Sequence, residues 1–552
     1  MSKKTPILSG LEGTPSMPAQ TIPLAQADEF SEEIYLRLNP DVLMAVAAGK
    51  FRNGREHYES FGRAEGRPAR APASLPRDRV VVLADFDKVS DRTRSPVGAI
   101  DEIRISGNGG IYIIGWVNDV QDRLDSIDLY FPGWSVSFSA ASLARVHRPD
   151  AESSIGLAHL NHCGFWGFLY ATRRLPVGMC SAVLRMKSGA ELQLMVHAEL
   201  VEDHELRNIA LTQLAWAKYL GNPYFCAIAS IDAAIGTQLV DFNKSLTRKA
   251  LLAPYVERFG QDGKTYKASI IVCLYGKPEY LFLQQAAFSC LPGIRDYEFV
   301  YICNSPEIGE VLLKEARRCK LIYGLDISVI ILSANAGFAA ANNFAVQYAQ
   351  SRRILIMNPD VFPYSNNWID RHEAILESCS IEQTSLFGVP LYYENGSMMH
   401  AGMYFENDTY PGMGVGSKQA VSVLRVEHYA KGAPPDTRQF LCSRPVPAVT
   451  GAFVSVERSW FERLNGFSDD YIFGHYEDAD LCLRSLEAGR AAWVHNAGLY
   501  HLEGKGGVRQ PPQEGGAIVN RWLFTHNWYD LIVNGLLGPD FVFQDAQKEV
   551  SA

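Results

Sequence analysis

From Lys267 onward the hydrophobic pattern switches repeatedly between two kinds of segment. SIIVCLY (269–275), YEFVYIC (297–303), ISVIILS (327–333) and RILIM (353–357) are apolar runs of strand length. Helical segments follow them, opening at Pro278, Pro306, Phe338 and near Asn366. Apolar strands alternating with helices predict parallel βαβ units with both sheet faces covered. Upstream the pattern differs. Between about 100 and 203, runs such as GGIYIIGWVND, FWGFLYA and LQLMVHAEL are short, rich in β-branched and aromatic residues, and punctuated by Gly, Pro and Asp. They predict a β-sandwich-like region. Its lone aromatics, Trp116 and Trp134, suit a core better than a sugar-stacking platform. The whole reads as an α/β chain: a flexible lead-in (1–25), a small helical module (26–72), the β region (95–203), a helical bridge (204–262), a mostly parallel sheet flanked by helices (267–507) and a helical tail (508–552).

Within the module, Asn39 is placed to cap a helix that starts at Pro40 and ends at Gly49. A second short helix spans Arg55–Phe61 and stops at Gly62, and Pro68–Pro76 reads as a linker. In the tail, Ile518, Trp522, Tyr529 and Ile532 recur at about one helical turn. That face suits a membrane surface or the chain's own body; the missing Lys/Arg cluster on the polar side favours the second.

Composition narrows the function. With 52 Lys and Arg against 61 Asp and Glu the net charge is −9, a poor match to nucleic acid. No apolar run reaches bilayer-spanning length and no signal peptide opens the chain. The 10 cysteines are scattered without a CxxC pair, which fits buried thiols in a reducing, cytoplasmic setting.

In open α/β sheets ligands sit beyond the carboxyl ends of the strands. Those ends carry Tyr275-Gly276-Lys277, Asn304-Ser305, Ser333–Gly337 (with Asn335) and Asn358-Pro359-Asp360-Val361. Neither GxGxxG nor GxxxxGK[ST] is present. The set is polar and Asn-rich with one carboxylate, suited to a base and ribose plus one hard metal ligand for a diphosphate. NPDV occurs twice. At Asn39–Val42 it is a helix cap; at Asn358–Val361 it follows a buried strand, which is where a functional carboxylate belongs. In GHYEDADLCLR a helix starting near Tyr476 puts Glu477 and Asp480 on one face and Asp478 elsewhere. Asp480 reads as the i, i+4 partner of Arg484, whereas either Glu477 or Asp478 is placed to act as a general base. His501, in a Gly-rich loop, is by spacing alone equally a metal ligand or a structural histidine.

Together SIIVCLYGKPEYL, EFVYICNSPE, NAGFAAANN, ILIMNPDV, HAGMYF, VTGAFVSVER, LNGFSDDYIFGHYEDADLCLR and LYHLEG resemble glycosyltransferase family 2, of GT-A type, particularly its rhamnosyltransferase-like bacterial members. The segment Phe30–Pro68 is similar to a small module often attached to bacterial glycosyltransferases. The resemblance implies an inverting, metal-dependent transfer from a nucleotide-sugar donor to a glycan or lipid-linked acceptor, in bacterial surface polysaccharide or glycoconjugate synthesis, at the inner face of the membrane. It assigns Mg²⁺ or Mn²⁺ to Asp360 and His501, the catalytic base to Asp478 with Glu477 as rival, the nucleotide-facing loops to Tyr275, Asn304, Asn335 and Gly337, and the sugar pocket to Thr450 and Gly451. Cys303 stands where the family usually carries an acidic base-reading residue, and a thiol does not accept an N–H as a carboxylate does. A non-catalytic nucleotide- or sugar-binding protein of the same fold is the competing class.

Overall fold

The computed structural model describes residues 32, 35, 42, 46, 51–63, 97–146, 148–154, 162–217, 231, 235–261, 263–378, 386–410, 421–504 and 510–537. The chain divides into two compact units, Met1–Asp78 and Arg79–Ala552. In the first, Gly54–His57 is helical and runs on as a wider turn over Tyr58–Gly62. Its open amides are satisfied twice: Asn53 accepts from Glu56 N–H, and the Glu32 carboxylate accepts from Gly54 and Arg55 N–H. Val42 and Val46 are helical, while the rest of the expected Pro40–Gly49 helix, the lead-in 1–25 and the linker 68–76 lie outside the described residues.

The second unit opens with eight strands: β1 (Val97–Ser106), β2 (Gly110–Asn118), β3 (Leu124–Phe131), β4 (Trp134–Ser139), β5 (Ala144–Val146), β6 (Gly164–Tyr170), β7 (Gly178–Met186) and β8 (Glu191–Val201). They hydrogen-bond in one continuous order, β4-β3-β7-β8-β1-β2-β6-β5. The sandwich-like core arises because this sheet curls on itself. Phe138 of β4 and Gly167 of β6, far apart in that order, meet across the interior. The outer face of β2, β5 and β6 packs Tyr112, Val146, Trp166 and Phe168 against the helices Asp203–Ala217, Ile235–Ala250 and Pro511–Asp530.

The main sheet has nine strands. They are β9 (Tyr255–Phe259), β10 (Ala268–Leu274), β11 (Tyr297–Cys303), β12 (Asp326–Ile331), β13 (Arg353–Met357), β15 (Leu386–Gly388), β20 (Arg444–Val446), β21 (Phe453–Glu457) and β22 (Ala492–Val494), in the order β20-β22-β15-β21-β13-β10-β11-β12-β9. The four central strands β13, β10, β11 and β12 are parallel. Antiparallel β21 and β9 flank them. Alternate residues of β10 serve opposite layers: Ile271 and Cys273 pack toward the helices Gly337–Val346 and Glu477–Glu487, while Ile270, Val272 and Leu274 pack toward Glu279–Ser289 and Gly309–Tyr323. One correction concerns the bridge assigned to 204–262. Residues 255–259 form the edge strand β9 instead of helix, because YVERF finds open backbone groups on β12.

Four short strands, β14 (Val361–Pro363), β16 (Leu391–Tyr392), β17 (Met398–His400) and β23 (Leu499–His501), make a small second sheet, and β18 (Met403–Tyr410) pairs with β19 (Val421–His428) as a ribbon. The tail helix Pro511–Asp530 buries Ile518, Trp522 and Phe524 against the chain itself, so its apolar face is covered without a membrane. Among the described residues no helix is long and apolar enough to cross a bilayer. Where the tail helix crosses Asp203–Ala217, a Cβ on Gly515 would stand 1.9 Å from the Leu211 carbonyl oxygen. Gly→Ala in a free helix stabilises by about 1 kcal/mol. Here Gly515→Ala is expected to destabilise by about 1–3 kcal/mol, because the backbones must separate; urea unfolding measures the sign directly.

Candidate active site

RILIM ends in a tight turn, with Val361 N–H donating to Asn358 O. Gln284 fixes this turn by donating from Nε2 to the carbonyls of Asn358 and Val361. Beyond it β14 pairs with β23 in a register that sets Val361 opposite His501, which brings Asp360 beside the histidine. Asp360 Oδ1 lies 3.3 Å from His501 Nε2, and the two residues are 2% and 6% exposed. Asn358 Nδ2 lies 3.5 Å from the same nitrogen. Two ligands each about 2.1 Å from one cation, at about a right angle, stand roughly 3 Å apart. The separation and the hard O/N donor pair therefore fit a shared divalent cation. Among the described residues no group of three or more His, Cys, Asp or Glu encloses a metal. A cation here would draw its remaining ligands from water and a bound diphosphate, as Mg²⁺ usually does.

The helix Glu477–Glu487 begins with three acids in unlike settings. Asp480 is structural: it accepts from Trp528 Nε1 and Tyr471 OH and pairs with Arg484 at 2.7 Å. Glu477 is buried, and its carboxyl is pushed well above the usual range, first by burial and then by the charge of Asp478. Asp478 is half-buried and open to the cleft. Gly451 N–H donates to its Oδ2 at 2.8 Å and Ala479 N–H to its Oδ1 at 2.8 Å. Of the two rivals, Asp478 is the accessible and oriented carboxylate.

The loop leading into this helix is strained. Phe473, His475 and Tyr476 have φ of 62°, 83° and 76°, a region that L residues with side chains seldom occupy. Asn520, wholly buried on the tail helix, holds it in place. Its Oδ1 accepts from Ile472 N–H, and its Nδ2 donates to the carbonyls of Ile472, Gly474 and His475. Removing this clamp leaves buried backbone groups without partners. Asn520→Ala is therefore expected to cost about 1–3 kcal/mol of stability. It should also lower any turnover at Asp478 by roughly tenfold or more, since a small displacement of a reacting group is expensive; unfolding and rate measurements check both.

Tyr275, Asn304, Asn335, Asn358, Asp360, Thr450, Gly451, Glu477, Asp478 and His501 all line one cleft of about 390 Å³. Gly337 does not line the cleft; it is buried behind it with φ of 80°, its N–H donating to Asn335 Oδ1 and its carbonyl accepting from Asn304 Nδ2. The Asn304 amide is committed to this turn, since its Oδ1 also accepts from Ala336 N–H. Phe338 N–H donates to Phe473 O, tying the helix Gly337–Val346 to the strained loop. Cys303 lines no part of the cleft. It packs in the core, its thiol donating to Ser305 O and pushed up to about 11 by burial.

His428 also lines this cleft and was not singled out from the sequence. Gly402 N–H donates to His400 Nε2, so neutral His400 carries its proton on Nδ1, facing His428 Nδ1 at 2.9 Å. His428 Nδ1 must then accept, leaving its own proton on Nε2. Burial holds both rings below the usual histidine range and so keeps them neutral. No local spacing signals this pair, because the two residues belong to different strands.

No family model matches the chain. An uncharacterised protein of Sinorhizobium fredii, y4gI, is 26% identical over 167 residues, which covers 30% of this chain and 17% of that protein. Among solved structures, GalNAc-T7 with UDP, GalNAc and Mn²⁺ aligns with a TM-score of 0.33 at 15% identity, covering 52% of this chain and 54% of that one. The mannosyltransferase PcManGT of Pyrobaculum calidifontis, with GDP-Man and Mn²⁺, aligns with a TM-score of 0.31 at 13% identity, covering 62% and 90%. S. aureus TarS aligns with a TM-score of 0.30 at 15% identity, covering 51% and 41%.

Proposed function

We propose that this chain is a glycosyltransferase of GT-A type, in the family 2 group its motifs resemble. It would move a sugar, with inversion, from a nucleoside diphosphate donor to a hydroxyl of a glycan or lipid-linked acceptor in bacterial surface polysaccharide or glycoconjugate synthesis. The observation that carries the reading is the convergence of the Asp360–His501 pair and the oriented Asp478 carboxylate on one cleft. A pure binding protein has no use for a half-exposed carboxylate held by a backbone amide opposite a candidate cation site.

In the transfer, Asp478 accepts the acceptor's hydroxyl proton as that oxygen forms its bond to the anomeric carbon. The bond from that carbon to the diphosphate breaks, and the diphosphate leaves with the electron pair. Asp360 and His501 are the residues that would hold Mg²⁺ or Mn²⁺, which would supply charge neutralisation for the departing diphosphate. Gly451 N–H keeps the base aimed, and the neutral His428 offers a donor from the cleft wall. Glu477, buried and pushed toward its neutral form, does not compete for the proton.

Calorimetry with UDP, GDP and dTDP in the presence of Mn²⁺, paired with hydrolysis assays on the matching nucleotide sugars, tests the reading. Metal-dependent binding with donor turnover supports it; binding without turnover for any donor or acceptor replaces it with the non-catalytic class.

A further inference from the structure

We propose that Arg207 forms a subsite for an oxyanion, a phosphate or carboxylate group of a ligand, in a second cleft that opens beside the candidate active site. This cleft, of about 570 Å³, shares Tyr275, Asn304, Asn335, Phe473 and Gln513 with the first. Its far wall comes from the helices Asp203–Ala217 and Ile235–Ala250, outside the segment that carries the family motifs.

Three arginines are buried among the described residues. Arg521 pairs with Asp408 at 2.6 Å, and Arg353 lies 3.6 Å from Glu457. Arg207, 5% exposed, has no carboxylate partner among the described residues. Its Nη1 donates to Asn243 Oδ1 at 3.0 Å and its Nε to Asn208 Oδ1 at 3.3 Å, while the guanidinium lies 4.4 Å from the Phe473 ring centre. All three contacts are neutral. The acids that line this cleft do not compensate it: Asp203 is engaged by Lys249 and by Asn108 N–H, and Glu202 and Glu307 are exposed. Burial pulls the guanidinium down to about 10, which leaves it charged at neutral pH. A buried charge without a counter-charge is a standing cost to the fold. An oxyanion entering the cleft removes that cost with charge-assisted hydrogen bonds, for which a planar guanidinium is the favoured donor. Because Arg207 also stacks on Phe473, the first residue of the strained loop, the ligand would touch the element that aims Asp478.

The test is thermal unfolding of the full chain in EDTA at ionic strength held constant with KCl. Inorganic phosphate, UDP, GDP, glucose 1-phosphate and glucuronate are the probes. With no divalent cation present, the result stands apart from any role of Asp360 and His501, so a failed transferase reading leaves it interpretable. At least one probe should raise the midpoint of the unaltered protein. Arg207→Met should weaken that response tenfold or more while leaving the ligand-free protein at least as stable. Arg207→Lys keeps the charge without the fork; it should weaken the response at least threefold, and it decides the matter if Arg207→Met does not fold. A response confined to the nucleotides assigns the oxyanion to the donor, and one confined to glucose 1-phosphate or glucuronate assigns it to the acceptor. Equal shifts in the unaltered and Arg207→Lys proteins, or no shift with any probe, overturn the proposal.

Discussion

Asp478→Asn is expected to lower turnover by about 10²–10⁴ at saturating donor and acceptor, the usual contribution of a positioned general base. Binding of nucleoside diphosphate with Mn²⁺ should be unchanged. Asparagine keeps one oxygen to accept from Gly451 N–H and gives up the bond from Ala479 N–H, so the tie to Gly451 survives while proton affinity is lost. The contrast with Glu477→Gln makes the result specific. Burial and the charged neighbour both push Glu477 toward its neutral form, which a glutamine mimics. Its effect on turnover should stay within a few-fold. A reversed order, with Glu477→Gln disabling and Asp478→Asn tolerated, would move the base assignment to Glu477 and require that side chain to leave its buried seat. Full activity in both variants would remove carboxylate base catalysis from this helix altogether.

What could be read from the chain follows the range of the forces involved. The helices at Pro278, Pro306 and Phe338 and the strands before them were legible because each signal lies within its own segment: an apolar run, a Pro or Gly at a boundary, a change of period. The start of the Glu477 helix and the Asp480–Arg484 pair were legible for the same reason. Strand β9 was not, because its pairing with β12 is non-local and its exposed alternation resembles a linker. Nor was the sense of β21, which enters antiparallel beside β13 after a long excursion. The candidate site divides in the same way. Asp360, Asp478 and His501 carry recognisable local motifs. The loop with positive φ at Phe473, His475 and Tyr476 is tied to Asn520 through Ile472, Gly474 and His475, across 45 or more residues, and no pattern around residue 475 announces it. Arg207 and His428 are likewise single polar residues whose partners come from other elements. By motif, Cys303 occupies the place of an acidic base-reading residue. Strand alternation turns that side chain into the core, so the cleft never meets it.

Asp360→Asn should weaken Mn²⁺-dependent binding of nucleoside diphosphate by about tenfold to a hundredfold and lower turnover by more. A cation at a leaving diphosphate supplies several kcal/mol of charge stabilisation, and each 1.36 kcal/mol is a factor of ten in rate. Metal-free nucleotide binding should change little, since the proposed contacts for that part are the strand ends at Tyr275, Asn304 and Asn335. His501→Ala tests whether the two residues share one ion, as their 3.3 Å separation implies. If they do, the effects are not additive: once one ligand is gone and the ion lost, removing the other has little left to abolish. The double variant should then resemble the worse single variant. Independent effects that multiply would mean that His501 acts on something other than the ion, such as the orientation of Asn358, whose amide lies 3.5 Å from its ring. An Asp360→Asn protein that keeps full Mn²⁺-dependent affinity would separate this carboxylate from the cation altogether and remove the metal half of the transfer chemistry.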